Sequence, residues 1–328
     1  MHPRTLARLA SLSTHLRRAP LSAHAKPMSC TAVPPDNSTF QLPPLNFAIS
    51  PVPKKNPSDK GRHIKTAAAL IIGDEILNGK TLDRNSNYFA RFCFEHGIHL
   101  KRVEVIADDE AEIIEASRRM VQTYDFVVTS GGIGPTHDDI TYASLAKSFD
   151  QGLVYHDETL ARMEESGKYR TWVSKQSEEQ RTARKRMALF PDAAEVIFVA
   201  SDIWVPVVRL QGKLCIFPGI PTLFQKMLDN LKPFLPLPPE EERPFRLQVF
   251  TGLPESSIAP FLTDLQKRVQ PEGIRIGSYP VLQKGVYVSL IGADRGRVHQ
   301  LGVEVEKEVE GRVVTEAEAE AKRQLGCQ

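Results

Sequence analysis

The residues best suited to chemistry lie in one stretch, Phe126-Val127-Val128-Thr129-Ser130-Gly131-Gly132-Ile133-Gly134-Pro135-Thr136-His137-Asp138-Asp139-Ile140-Thr141. It reads as a buried strand over 126–129, a glycine-rich turn and two adjacent carboxylates, with a helix to follow whose apolar positions are Ile140, Leu145, Ala146 and Phe149. Glycine lets the backbone take conformations closed to other residues and lets a ligand approach it closely. Such a turn, entering a helix N-terminus, directs backbone N–H groups at one spot and suits a phosphate. Asp138 and Asp139 would repel a bare phosphate. A divalent cation such as Mg²⁺ or Mn²⁺ resolves the conflict, since carboxylate oxygens are hard ligands and such sites pair with substrate phosphates. The alternative is plain structure: either aspartate can cap the helix, and Gly-rich strand–turn–helix corners also serve as punctuation in α/β domains.

A second acid pair stands in the same kind of place. The apolar run 67–72 ends in Gly73-Asp74-Glu75-Ile76-Leu77-Asn78-Gly79. Ligands of open α/β sheets sit outside the carboxyl ends of the strands, so Asp74 and Glu75 can converge with Asp138 and Asp139 on one cation. Thr81, Asp83 and Asn85 follow in a polar loop, where Asn85 either meets a ligand or caps the next helix.

These residues need elements to hold them. A helix through Tyr88, Phe89, Phe92 and Cys93 has Gly97 at its C′ position. A strand over 98–106 and a helix over 110–123, with Ile113, Ile114, Ser117 and Val121 on one face, lead to the glycine motif. This β-α-β-α-β order argues for a parallel sheet. Residues 156–190 read as charged helix, a solvated face or a weaker candidate for clamping phosphate, with a capping box Ser177-x-x-Gln180. Strands over 204–210 and 213–217 flank the turn Gln211-Gly212, and Phe217-Pro218-Gly219-Ile220-Pro221 opens another helix at Pro221. Beyond a Pro/Glu-rich boundary at 235–244, strand 245–251, a helix around Ile258–Val269, strands 274–279 and 286–291, and a last helix carrying Val298, Leu301 and Val305 suggest a small α+β subdomain.

Composition narrows the classes. Lys and Arg number 42 against 40 Asp and Glu, a balance that argues against a dedicated nucleic-acid binder. No apolar run approaches the roughly 18 residues a membrane span needs. Cys30, Cys93, Cys215 and Cys327 are scattered without metal spacing and suit free thiols. The first 27 residues carry Arg4, Arg8, Arg17, Arg18 and Lys26, and the first acid is Asp36. That is the composition of a mitochondrial presequence, with Met28 as an alternative start giving a cytoplasmic form. Residues 33–62 read as linker. The expected organisation is leader and linker 1–62, a main domain 63–238, the subdomain 244–314 and a tail 315–328.

Gly73-Asp74-Glu75-Ile76-Leu77-x-Gly79, the motif from Thr129 to Thr141, and Phe217-Pro218-Gly219-Ile220-Pro221 together resemble the molybdopterin-binding-like (MoaB/Mog) family. Within it the chain is most similar to the CinA-type N-terminal domain and the N-terminal domain of eukaryotic FAD synthase, the latter also through Gly277-Ser278-Tyr279-Pro280. The resemblance covers about residues 64–293. It implies a three-layer α/β/α domain with a mostly parallel sheet, often oligomeric, and in these branches a metal-dependent pyrophosphatase that splits FAD or ADP-ribose-type dinucleotides. Carried over by position, Asp74, Glu75, Asp138 and Asp139 are the metal-binding and catalytic acids. Thr129, Ser130, Gly131, Gly132, Ile133, Gly134, Thr136, Pro218 and Gly219 hold the substrate, and Asp83 and Asn85 line the pocket.

The adenylyltransferase domain of FAD synthase has no counterpart in these 328 residues, so the expectation is breakage of FAD rather than its synthesis. Ser201-Asp202-Ile203-Trp204-Val205-Pro206 replaces the Gly/Ala/Pro-rich segment of CinA-type proteins, which favours the FAD synthase-like branch. The expected cofactor is Mg²⁺, Mn²⁺ or Co²⁺, with a monovalent cation as a further candidate, and the expected assembly is a homo-oligomer. The competing expectations are a pterin enzyme of molybdenum-cofactor synthesis and a non-catalytic flavin- or pterin-binding module.

Overall fold

The computed structural model describes residues 45–53, 63–168, 170–315 and 318, all within one unit, Pro43–Gln328. The leader, Cys30, Cys327 and nearly all of the tail lie outside the described residues.

In chain order the main lobe comprises β1 (Thr66–Ile72), α1 (Asp74–Leu77), α2 (Asn85–Glu95), β2 (His99–Ile106), α3 (Glu110–Thr123), β3 (Phe126–Ser130) and α4 (Thr141–Ser148). It continues with β4 (Leu153–Tyr155), α5 (Asp157–Gly167), α6 (Thr171–Ser174), α7 (Glu178–Lys185), β5 (Leu189–Pro191), β6 (Glu195–Ile197), β7 (Val207–Leu210), β8 (Leu214–Phe217) and α8 (Pro221–Leu231). The second lobe holds β9 (Phe245–Thr251), α9 (Glu255–Val269), β10 (Arg275–Val281), β11 (Gly285–Gly292), α10 (Arg295–Glu308) and β12 (Arg312–Val314).

The main sheet has the order β2-β1-β3-β8-β7-β6. Its first four strands run parallel, and β7 and β6 are antiparallel additions. β1 shows why its sequence lacks alternation, because both faces are covered. Ala67, Ala69 and Ile71 pack into a core with Phe89 and Phe92 of α2 and Phe224, Met227 and Leu228 of α8. Ala68, Leu70 and Ile72 pack the other way, against Ile113, Met120 and Leu145 of α3 and α4. The lobe is therefore a three-layer α/β/α domain. Leu70, Thr129 and Ile216 lie level across β1, β3 and β8, which brings the carboxyl ends of these strands to one edge.

The second lobe is an antiparallel sheet, β10-β11-β9-β12, whose core joins Leu247, Val249, Val288 and Leu290 to Ile258, Leu265, Val298 and Leu301 of α9 and α10. Arg246 of β9 lays its guanidinium 3.9 Å from the Phe94 ring centre, linking the lobes.

Several expectations need correction. Residues 156–190 break into α5, α6 and α7 and end in β5, which pairs with β4. The capping box on Ser177 and Gln180 is present. β7 starts at Val207 rather than Trp204, and Pro206 before it has no N–H to give a ladder. β12 adds a strand beyond the expected last helix.

The described part of the expected linker is packed. Phe47 N–H donates to the Ser201 carbonyl (2.7 Å) and Ser50 N–H to that of Phe198 (2.9 Å). Arg162, buried in α5, donates to the Ala48 carbonyl (2.7 Å) and faces the Phe198 and Phe47 rings at 3.5 and 5.2 Å. Cys93 and Cys215 are buried free thiols. Among the described residues no helix is long and apolar enough to cross a membrane.

Candidate active site

The glycine turn leaves β3 at Ser130 and crosses the end of β1. Gly131 has φ 110°, and a Cβ there would run into the Ile72 carbonyl oxygen. Gly132 follows at φ 62°, against the Thr141 hydroxyl. Only glycine fits this pair of positions. Thr141, buried at the start of α4, closes the turn: its N–H donates to the Gly132 carbonyl (3.0 Å) and its hydroxyl to that of Gly131 (3.0 Å).

Not every loop amide is free for a ligand. Gly131 N–H donates to Phe217 O (3.3 Å) and Gly134 N–H to Asp139 Oδ1 (2.6 Å). The N–H groups of Gly132 and Ile133 have no hydrogen-bond partner among the described residues. Ser130 and Thr129 are buried beneath the turn. Ser130 Oγ accepts from Asn85 Nδ2 (2.8 Å), which also donates to the Gly219 carbonyl (2.8 Å), while Asn85 Oδ1 and Thr129 Oγ1 are buried without partners. Asn85 thus ties α2 to the ends of β3 and β8, and Gly219 comes within 3.4 Å of Gly131 when a Cβ is built on it. Pro218 is buried just before this crossing.

The acids divide by where their oxygens go. Asp83 Oδ1 accepts from the N–H groups of Asn85 (2.9 Å) and Ser86 (3.0 Å) and so holds the first turn of α2, whose N-cap is Arg84 rather than Asn85. Asp139 turns both oxygens back on its own loop, to Gly134 N–H at 2.6 Å, Thr136 N–H at 2.8 Å and the Thr136 hydroxyl. Neither Asp138 nor Asp139 is the N-cap of α4, a place taken by Ile140.

Asp74 and Glu75 sit exposed in α1, and Asp138 is exposed on the loop. The Thr136 hydroxyl and its own backbone N–H, helped by His137, hold the Asp138 carboxyl below the usual range.

A further acid, absent from the sequence expectations, belongs to this group. Asp108 follows β2, and its Oδ2 accepts from Asp74 N–H (3.1 Å). Partial burial pushes its carboxyl up, and the carboxylates of Glu75, Asp74 and Asp138 push it further in the same direction. Its signal was the pair Asp108-Asp109 at a strand end, the pattern of the other two acid pairs; Asp109 caps α3 through Ala111 and Glu112 N–H. Neighbouring carboxylates that raise Asp108 in this way form a site a cation would relieve. Among the described residues, however, no three His, Cys, Asp or Glu side chains converge as a ready-made metal cage.

Residues 68–237, just over half the chain, match the family model described as a probable molybdopterin binding domain. The chain belongs to that family. Residues 244–318 match the model described as the middle domain of FAD synthase. A probable FAD synthase of Caenorhabditis elegans is 33% identical over 234 residues, which cover 67% of this chain and 44% of that protein. Protein PH0439 of Pyrococcus horikoshii is 32% identical over 236 residues, 69% of this chain and 88% of that one. The chain thus spans under half the length of the nematode relative. Among solved structures, the protein CinA of Thermoplasma acidophilum, titled as of unknown function, aligns at 30% identity with a TM-score of 0.45, over 52% of this chain and 96% of that one. The molybdopterin-binding-like resemblance read from the motifs holds at the level of family.

Proposed function

We propose that this protein is a divalent-metal-dependent FAD diphosphatase, which adds water across the diphosphate of FAD to give FMN and AMP. The observation that carries the reading is Asp108, whose carboxylate accepts from Asp74 N–H at 3.1 Å and lies 3.2 Å from a Cβ built on Gly132, in a glycine turn with two uncommitted amides. Carboxylates clustered next to a phosphate cradle make chemical sense when a cation stands between them. Similarity to probable FAD synthases and the FAD synthase middle domain supports a flavin nucleotide as the substrate.

One or two of the carboxylates of Asp74, Glu75, Asp108 and Asp138, with substrate phosphate oxygens and water completing the shell, would hold Mg²⁺, Mn²⁺ or Co²⁺. The metal would supply Lewis-acid polarisation of the phosphate oxygens and a more acidic water. Gly132 and Ile133 N–H would stabilise charge building on those oxygens. The exposed Asp138 carboxylate, which stays ionised well below neutral pH, or Glu75 would accept the proton from water. Asp139, Thr141 and Asn85 act through the loop as positioning residues, which revises the metal-ligand role expected of Asp139. The buried oxygens Asn85 Oδ1 and Thr129 Oγ1 are donors of the kind a monovalent cation takes.

The test is incubation of the purified chain with FAD, ADP-ribose or NAD, each with Mg²⁺, Mn²⁺ or Co²⁺, and chromatographic resolution of products. FMN and AMP formed only with metal support the reading. Adenylyl transfer from ATP to a pterin would replace it with the molybdenum-cofactor step, and tight flavin or pterin binding without turnover would replace it with a binding module.

A further inference from the structure

A cleft of about 530 Å³ opens directly beside the glycine loop, with Pro135 and Thr136 forming one wall. The rest of the lining includes Arg170, Trp172 and Arg184, from the helical excursion between β4 and β5, and Trp204. The chain has only two tryptophans, and both line this cleft. Trp172 is 53% exposed, an unfavourable place for a large indole unless something covers it. Arg184 is fixed there by donating to the Met163 carbonyl (2.5 Å).

We propose that this cleft holds the isoalloxazine end of the dinucleotide, stacked on the indoles of Trp172 and Trp204 with its carbonyl edge toward Arg170 and Arg184. The inference rests on the flavin reading above and assigns which end of the molecule goes where. Contiguity with Thr136 lets the phosphates lie along the glycine loop while the ring system enters the cleft. Three chemical features select flavin over adenine. The cleft volume falls in the range that accepts a drug-sized group, and a two-ring purine would leave much of it unfilled. A planar, electron-poor tricycle gains more from electron-rich indole faces than a smaller base does. The pyrimidine edge of isoalloxazine carries two carbonyl oxygens for guanidinium donors, whereas adenine carries none. The adenosine end would then extend past the acids toward solvent. Of the basic residues of this segment, Arg170 faces the cleft, Arg181 and Lys185 line a neighbouring cavity, and Arg184 lines both.

The test measures binding without turnover, on the full chain in EDTA, with FMN, riboflavin and AMP titrated by calorimetry and by quenching of the tryptophan emission. FMN and riboflavin should bind and quench, and AMP should do neither at the same concentrations. Trp172→Ala, an exposed substitution, should weaken FMN binding by about tenfold, the scale of one base–aromatic stack. Trp172→Phe should restore part of it. Quenching by AMP instead of FMN, or FMN affinity unchanged in both Trp172→Ala and Arg170→Ala, overturns the assignment. FAD hydrolysis is followed in parallel to keep the two readings apart. Turnover with FMN affinity indifferent to Trp172 and Arg170 sinks the cleft assignment alone. Trp172-dependent FMN binding with no hydrolysis under any metal sinks the diphosphatase alone.

Discussion

Asp139→Asn separates two roles that an aspartate in a glycine-rich loop can play. As a metal ligand, Asp139 would need an oxygen to spare. As a brace, it spends both on Gly134 N–H, Thr136 N–H and the Thr136 hydroxyl, which is what the geometry shows. Asparagine keeps one acceptor oxygen and turns an amide NH₂ toward a backbone N–H that cannot receive it. Hydrogen bonds to a charged acceptor are worth about 1.5–3 kcal/mol each. Thr136 is exposed and Asp139 half-buried, so water recovers part of the loss and a net cost of about 1–2 kcal/mol is expected. For a unit of this size that corresponds to a Tm lowered by roughly 2–8 °C. The turn is also released, and a displacement of about 1 Å at a reacting group costs about a hundredfold in rate.

The assay pairs thermal melting with FAD hydrolysis over a range of Mn²⁺ concentrations. Asp139→Asn should lower Tm and kcat/KM while leaving the metal concentration for half-activation unchanged. Asp138→Asn, at an exposed carboxylate, should leave Tm unchanged and raise that concentration tenfold or more. A variant at Asp139 with wild-type Tm and a shifted metal requirement would refute the reasoning and restore Asp139 as a ligand.

Gly131→Ala should cost more than Gly273→Ala, which shares positive φ but meets nothing within 4 Å. The control loses about 1–2 kcal/mol, and Gly131→Ala should melt several degrees lower still and lose turnover. Asp108→Asn, which removes one charge from the crowded acids, should raise Tm at pH 7 in EDTA while abolishing metal-dependent hydrolysis. His96 is 8% exposed, and burial, with Lys232 and Arg243 nearby, holds its imidazole below 6.5. Its folded pKa lies below the unfolded one, so its contribution is full above the unfolded pKa and is lost as pH falls through the folded pKa; His96→Gln should flatten the drop in Tm between pH 7 and 5. Phe47→Ala should loosen the 45–53 segment, which keeps its bond from Arg162 to the Ala48 carbonyl, lowering Tm by roughly 2–8 °C for a loss of about 1–2 kcal/mol and speeding proteolysis there.

Long elements with a clear period were legible from residues alone. The limits of α3, the buried run of β1 and the turn at Gln211-Gly212, with φ 53° and 68°, all follow from local pattern. The three-residue strands β4, β5, β6 and β12 were not legible, because so short a run has no period and exists only through its partner. The packed segment at 45–53 was hidden for a similar reason: a proline-rich composition reads as linker, and its anchor, Arg162, is 114 residues away from Ala48.

At the site, sequence located the acid pairs but could not assign the oxygens within a pair. Asp108-Asp109 and Asp138-Asp139 each divide between a residue that caps or braces the backbone and one that faces its fellow acids. Adjacent identical residues carry no periodic signal that distinguishes them. What does is the accounting of backbone N–H groups, since each donor at a helix start or tight turn must find an acceptor. Asp83, Asp109 and Asp139 are consumed by that accounting. Asp74, Glu75, Asp108 and Asp138 are left as the acids outside it or only partly within it, alongside the Gly132 and Ile133 amides. Substitutions in the first set should therefore register in Tm before they register in metal response, and substitutions in the second set in the reverse order.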